Sequence, residues 1–592
     1  MAWASALAIA LVSAFAVSVC AANWDLESDT WTATDALGRK LAGPTESGTP
    51  KANKTIGIFY FLWLYNDGGQ LNDITKLLAA NPTNPAWGPR WSFHHWGESE
   101  LGYYSIREDY VIRKHCQMLV DAGVDVICFD TTNAITYNPE YTNLCNIYQQ
   151  IRAEGGKTPQ ICFVVNTSPG PTAQSLYDDL YSQNLYKDLW FTWLGKPLLL
   201  SPPAGLSTTL LNFFTIRQTW AWNAGQDNWT FIDNYPQTAG WHTSGVPEEI
   251  SVTIAQHPLS NIGRSFHNGS EPVSDQYGMT TTAGQGYCFA EQWSRALSVT
   301  PPFVFITGWN EWIAQRFIEG LDYDGLSLCG KPLNDGDTYF VDTYSQEFSR
   351  DIEPMKGGHT DNYYYQMIDN IRRYKGVRSA MSPGAAKTVA IDGDFSDWTD
   401  VSPEFRDTVG DTEHRDALGY GGANHYVNIT GRNDFVRVKV ARDATNLFLY
   451  AETSEDITAY NSPNWMLLFM DTDGSAATGW NGYDYLINSP VTDSTTTTIK
   501  ANTGGWNWNQ VGTASYRVSG NQLEMAIPRS AIGKAGLTNF SLDLHWADNI
   551  QQTGDIAQFF TNGDSAPNRR FNYHYDTASS GPPWEFSTAG NK

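Results

Sequence analysis

The chain has 592 residues, too many for a single hydrophobic core, so two or three domains are expected. Its formal net charge of −25 excludes the basic footprint that nucleic acid requires and disfavours strongly anionic polymers as ligands. Aromatic residues make up 14%, a content suited to gripping sugar rings as well as to filling large cores.

Residues 2–19 are small and apolar and run into Cys20-Ala21-Ala22, which predicts a secretory signal peptide over 1–22. Val19 is a poor lipobox residue, so no lipid anchor is expected at Cys20. No later apolar run is long enough to span a membrane. The expected location is therefore extracellular, with no membrane partner, and a monomer is the default state. Cys116, Cys128, Cys145, Cys162, Cys288 and Cys329 contain no C-x-x-C pair, which argues against zinc. Cys128 and Cys162 fall in predicted strands as buried thiols, while an oxidising compartment would allow one or two disulfides of open pairing. Sequons at Asn53, Asn166, Asn228, Asn268, Asn428 and Asn539 fit a secreted glycoprotein.

Between residues 23 and 378, short apolar runs alternate with helical patterns. Eight strands are predicted: Ile56–Leu62, Val124–Asp130, Gln160–Asn166, Pro197–Ser201, Phe213–Thr219, Trp229–Asn234, Ile250–His257 and Phe303–Gly308. Tyr110–Ala122 has helical spacing and stops at Gly123 before a strand. This alternation is α/β and predicts a (β/α)8 TIM barrel, with the helix Asp361–Tyr374 closing it. Residues 379–387 are small and turn-forming, as in a linker. From 388 to 592 the pattern becomes alternating strands, namely Val436–Val440, Leu447–Glu452, Trp465–Met470, Tyr483–Ile487, Gln522–Ile527 and Ser541–Trp546. That pattern predicts an all-β sandwich. Ser494–Thr498 reads as a Thr-rich loop.

Active sites of such barrels lie at the C-terminal ends of the strands. The apolar run Pro302–Ile306 leads to Trp309-Asn310-Glu311-Trp312, a carboxylate between two indoles with a carboxamide beside it. Glu311 is a candidate catalytic acid, Trp309 and Trp312 candidate platforms for sugar rings, and Asn310 a candidate substrate contact. Asp130 ends the strand Val124–Asp130, where an unpaired charge is expensive unless it has a function. The loop after the first strand carries His94, His95, Trp96, Glu98 and Glu100. Glu98 and Glu100 are further candidate acids, and the others candidate substrate contacts. Tyr60, Asn166, Asp233 and His257 close other strands, and Trp241 follows the sixth as a candidate subsite wall. Glycoside hydrolysis generally needs two carboxyl groups flanking the bond, so Glu311 requires a partner from this set.

Ile56–Phe61, the His94–Tyr104 loop, Asp121–Asp130 and Thr307–Trp312 together resemble the family 71/99-like glycoside hydrolases over about residues 50–376. The resemblance implies a secreted (β/α)8 barrel; family 99 contains endo-acting α-mannosidases and family 71 contains α-1,3-glucanases. In the family-99 strand-end motif a second Glu follows three residues after the first. Here that position is Ala314, so the partner of Glu311 comes from elsewhere, with Asp130, Glu98 and Glu100 as candidates. The tail resembles family-9-like carbohydrate-binding modules through Ile391–Trp398, Asp471-Thr472-Asp473-Gly474, Gly479-Trp480 and Trp546–Asn549. Several such modules bind calcium, so Asp471 and Asp473 are candidate ligands of a structural ion, and Trp480, Trp506 and Trp508 candidate sugar platforms.

The reading is a secreted hydrolase of a neutral or amino-sugar polysaccharide, with endo or exo action left open and no cofactor expected for catalysis. Its rivals are a non-catalytic glycan-binding protein on a decayed barrel, for which Ala314 speaks, and a polysaccharide lyase.

Overall fold

The computed structural model describes residues 27–65, 69–272 and 282–581; the expected signal peptide and the extreme C-terminus of the second domain lie outside them. Eight parallel strands form the first domain: β1 Thr55–Tyr60, β2 Val126–Thr131, β3 Gln160–Val165, β4 Lys196–Leu200, β5 Thr215–Thr219, β6 Asn228–Trp229, β7 Glu249–Thr253 and β8 Phe303–Thr307. Their order is β6-β5-β4-β3-β2-β1-β8-β7. The two end strands meet without a ladder. The seam is tied by the Thr230 N–H donating to Glu249 Oε2 and by a bridge between Gly240 and Glu249, making a nearly closed barrel.

Strand side chains alternate between two environments, as the period of two requires. Phe59, Val126, Cys128, Cys162, Val164, Leu198, Leu200, Phe303 and Phe305 fill the barrel interior. Ile56, Ile58, Ile127, Phe129, Ile161, Phe163, Val304 and Ile306 face outward to the helices. A Cβ on Gly57 would stand 2.5 Å from the Phe303 ring, so only glycine admits that ring to the interior. The first domain's main helices are α1 Asp109–Asp121, α2 Asn138–Ala153, α3 Pro169–Leu176, α4 Thr208–Phe213, α5 Tyr287–Val299 and α6 Asn362–Lys375. Among the described residues, no helix is long and apolar enough to cross a membrane.

The second domain is an antiparallel eleven-stranded sheet folded over its own apolar core. Its strands are β9 Glu404–Arg406, β10 Phe435–Arg442, β11 Asn446–Thr453, β12 Leu467–Asp471, β13 Tyr485–Val491, β14 Thr496–Asn502, β15 Trp508–Ser519, β16 Gln522–Pro528, β17 Ser541–Asp548, β18 Asp564–Ala566 and β19 Tyr573–Asp576. The barrel followed by this β-rich domain matches the expected fold class. Two local readings differ. The supposed Thr-rich loop opens strand β14, because β-branched threonines suit a pleated, half-buried strand. The sixth barrel strand is only two residues long, and Phe231 and Ile232 continue into the barrel interior as buried loop.

The domains are docked by ion pairs, hydrogen bonds and ring contacts. Arg415 forms a buried ion pair with Glu108, and Arg569 pairs with Glu100 at 2.7 Å. Gln117 of α1 donates to Asn568, and Trp31 packs edge-on against Phe571 and Tyr573. Cys116, Cys128, Cys145, Cys162 and Cys288 are buried free thiols; Cys128 and Cys162 are register partners on β2 and β3, with sulfurs 3.2 Å apart.

Candidate active site

Alternation along β2 sends Val126 and Cys128 into the barrel interior and places Asp130 next in that row, at its C-terminal mouth. Its Oδ1 accepts the Thr132 N–H at 2.9 Å. Burial pushes this carboxyl up to about 6, with Asp342 adding repulsion while Thr132 and Arg350 oppose the rise. Glu311 follows β8 and is 3% exposed. Its Oε2 accepts from Arg350 Nη2 at 2.5 Å. Burial raises the Glu311 carboxyl, Arg350 pulls it down, and Asp342, Asp351 and Asp130 raise it further. Asp130 and Glu311 therefore belong to one electrostatic cluster.

Arg350 is the centre of that cluster. It is buried, lies 3.6 Å from the partly exposed Asp342, and donates through Nη1 to the Gln256 carbonyl at 3.2 Å. His257 follows β7; burial and then the Arg350 charge push its imidazole down to about 4, which keeps it neutral at physiological pH. Its ring lies 5.4 Å from that of Trp222, which is 46% exposed just beyond β5. Trp220, 40% exposed, stands edge-on to Phe231. The mouth thus combines three carboxylates, one guanidinium, a neutral imidazole and an exposed aromatic rim.

The sequence reading missed Arg350, Asp342 and the Trp220–Trp222 pair. Both tryptophans follow the predicted fifth strand, so the rule that selected Glu311 and Asp130 could have found them. Arg350 and Asp342 lie in the long irregular segment after β8, which has no periodicity to mark them.

Several expected contacts are placed elsewhere. Trp309 and Trp312 are 0% and 1% exposed and present no ring face to a ligand. The Trp312 ring stacks on Trp96 at 4.9 Å, while its Nε1 donates to Glu353. Trp96 in turn donates to Asp351. Asn310 clamps the Phe61 backbone with both ends of its carboxamide, tying the end of β8 to the end of β1. Tyr60 points outward from the barrel and bonds His115 at 2.9 Å. Both His94 ring nitrogens meet backbone carbonyls, of Ser92 and Trp87. His95 is sandwiched edge-on by Tyr103 and Tyr420, and burial pushes it down to about 3.

Glu98 is held by Lys76 and Lys356, and Glu100 by Arg569 at the domain interface, so neither joins the cluster at the mouth. Asp233 caps its own turn, accepting from the Asn234 and Thr238 N–H groups. Asn166 and Trp241 are partly exposed on the loops after β3 and β6. In the second domain Asp471 and Asp473 join Asp484, with oxygens within 4.8 Å of one another. Those carboxylates already accept turn N–H groups: Asp471 from Asp473 and Gly474, Asp473 from Ser475, and Asp484 from Thr472. Trp480 is 6% exposed and packs edge-on against Trp506, so it offers no platform.

No family model matches the sequence, and no curated protein matches it. Several solved structures are weakly similar, three of them as follows. The family-99 endo-α-mannosidase from Bacteroides thetaiotaomicron gives 14% identity and a TM-score of 0.30, covering 55% of this chain and 98% of that one. The same type of enzyme from that organism, in complex with bis-tris-propane, gives 12% and 0.30 over 54% and 97%. A glycoside hydrolase-like protein gives 11% and 0.28 over 56% and 99%.

Proposed function

We propose that this protein is an exported glycoside hydrolase acting on a neutral or amino-sugar glycan. The observation that carries the reading is the cluster of Asp130, Glu311 and Asp342 around the single guanidinium of Arg350 at the barrel mouth. Three acids facing one buried cation cannot all ionise at equal ease, and acid–base catalysis exploits such a separation. Asp130, raised to about 6, is the proton donor to the leaving glycosidic oxygen. Glu311, anchored by Arg350, and Asp342, the most accessible of the three, are the candidates for the second carboxylate. Trp222 and Trp220 supply the faces on which sugar rings stack, and the neutral His257 hydrogen-bonds hydroxyls. The signal peptide expected over 1–22 and the sequons support export, and a monomer is the proposed state.

Purified protein is incubated with a panel of neutral, amino and acidic polysaccharides, and released reducing ends are measured beside Asp130→Asn, Glu311→Gln and Asp342→Asn. Release by the wild type alone supports the cluster. Release by all variants keeps the enzyme and removes the cluster from the chemistry. Glycan binding without release by any form identifies a binding protein, and a product absorbing in the near ultraviolet identifies a lyase.

A further inference from the structure

One interior position below Asp130, the barrel holds two sulfurs that the proposed chemistry does not use. Cys128 and Cys162 are register partners on the parallel strands β2 and β3, and both side chains point into the barrel interior. Neighbouring strands stand about 4.8 Å apart, which falls within the roughly 4.4–6.8 Å between Cα atoms that a disulfide spans. The two sulfurs lie 3.2 Å apart, and a bond needs about 2.05 Å, so about 1 Å of movement closes it.

The surroundings leave these sulfurs to each other. Both residues are 0% exposed and packed with Phe59, Val126, Val164, Leu198 and Phe305. Cys162 donates its S–H to Cys128. Burial pushes the Cys128 thiol well up, and Cys162 beside it adds to the rise. The other buried thiols are placed differently. Cys116 on α1 donates to the Lys157 carbonyl at 3.6 Å, while Cys145 and Cys288 sit on the separate helices α2 and α5.

We propose that Cys128 and Cys162 are joined by a disulfide in the exported protein, an assignment that rests on export and not on the chemistry at the mouth. The oxidant is a small disulfide such as oxidised glutathione, or a protein disulfide of the same chemistry. One cysteine thiolate attacks the oxidant's disulfide, forming a mixed disulfide and releasing a thiol. The second thiolate then attacks the mixed disulfide and releases the other thiol. Two protein S–H bonds are thereby exchanged for one S–S bond, and the oxidant leaves as two thiols. In the closed barrel neither sulfur is reachable and the raised thiol supplies little thiolate, so the exchange takes place before β2 and β3 are covered. The two cysteines are 34 residues apart, so the bond restricts the unfolded chain and stabilises the folded one. It staples β2 to β3 directly beneath the position of Asp130.

The full chain is purified from a host that exports it through an oxidising compartment and, separately, from a reducing cytosol. Each preparation is denatured with iodoacetamide and no reductant, digested with chymotrypsin and sequenced by mass spectrometry. The exported chain is expected to give one linked pair of peptides, carrying unalkylated Cys128 and Cys162. The cytosolic chain is expected to give both cysteines alkylated. A borrowed leader in place of residues 1–22 is run alongside, so that failure of export is read separately from failure of pairing. The exported form is expected to unfold several degrees above the cytosolic form. Cys162→Ala, made in the same two ways, is expected to lose that difference. Should this variant fail to fold, Cys128→Ala takes its place, and the peptide map of the wild type decides the pairing without either. Alkylation of both cysteines in the exported chain would overturn the assignment, as would a link from either one to another cysteine. A link that leaves the unfolding temperature unchanged would overturn its stabilising role.

Discussion

Arg350 Nη2 lies 2.5 Å from Glu311 Oε2, and the two side chains are only 4% and 3% exposed. A buried pair of this kind contributes little net stability when intact, but removing one partner strands the other charge. Arg350→Met is therefore expected to destabilise the protein by about 3–5 kcal/mol. Arg350→Met combined with Glu311→Gln should recover much of that loss, because the carboxylate that Arg350 pairs with is gone as well. Urea unfolding at pH 7 checks this. Equal destabilisation by the single and double variants would show that Arg350 matters through its bond to Gln256 and its packing instead.

Asp130 gives a pH-dependent prediction. Its carboxyl sits at about 6 in the fold against an ordinary 3.8, so the folded state holds this proton more tightly than the unfolded chain. The sign follows: its contribution is fully present below about pH 4 and is lost as pH rises through 6. The difference amounts to about 3 kcal/mol at full ionisation. Asp130→Asn removes the penalty and is expected to be more stable than wild type at pH 8, by up to about 3 kcal/mol, with the gap closing towards pH 4. Denaturant titrations of both proteins at the two pH values decide it. Activity of the wild type should fall as pH rises through about 6, where the proton donor is lost.

How far these features could be read from the sequence follows from the range of the interactions behind them. β1, β2, β3 and β8 were legible as bulky apolar runs, and strand ends pointed directly to Asp130 and Glu311. The two-residue β6 and the threonines of β14 were not, because burial of a loop and pairing of a polar strand are decided by tertiary contacts. Glu100 read as a candidate catalytic acid because its partner, Arg569, is 469 residues away in the chain. Residue type also does not say which way a ring faces. Trp309 and Trp312 looked like sugar platforms and are core, whereas Trp222 is the exposed ring beside the cluster.

That last contrast is testable. Trp312 stacks on Trp96 and donates to the buried Glu353, so Trp312→Ala opens a cavity and removes a carboxylate's partner. The expected cost is about 3–5 kcal/mol, read as a fall in the urea midpoint. Trp222→Ala at the rim should change stability by no more than about 0.5 kcal/mol. On a substrate found by the polysaccharide screen, it should raise KM about tenfold, roughly 1.4 kcal/mol of lost binding. A stable Trp312→Ala protein with impaired binding would restore the indoles beside Glu311 to the site.

The domain seam sets the last expectation. Arg569 is 4% exposed, pairs with Glu100 at 2.7 Å, and its guanidinium lies 4.1 Å from the centroid of the Phe560 ring. Arg415 pairs with Glu108 and lies over Tyr426 in the same way. Glu100→Ala and Glu108→Ala each strand a buried guanidinium, at an expected cost of about 3–5 kcal/mol. Because each pair joins barrel to sandwich, that cost falls on the contact between domains before it falls on either core. Calorimetry of the double variant should therefore resolve two unfolding transitions where the wild type shows a single cooperative one. A single transition displaced to lower temperature would mean instead that the two cores unfold as one unit, held together by the apolar packing of Trp31 against Phe571 and Tyr573.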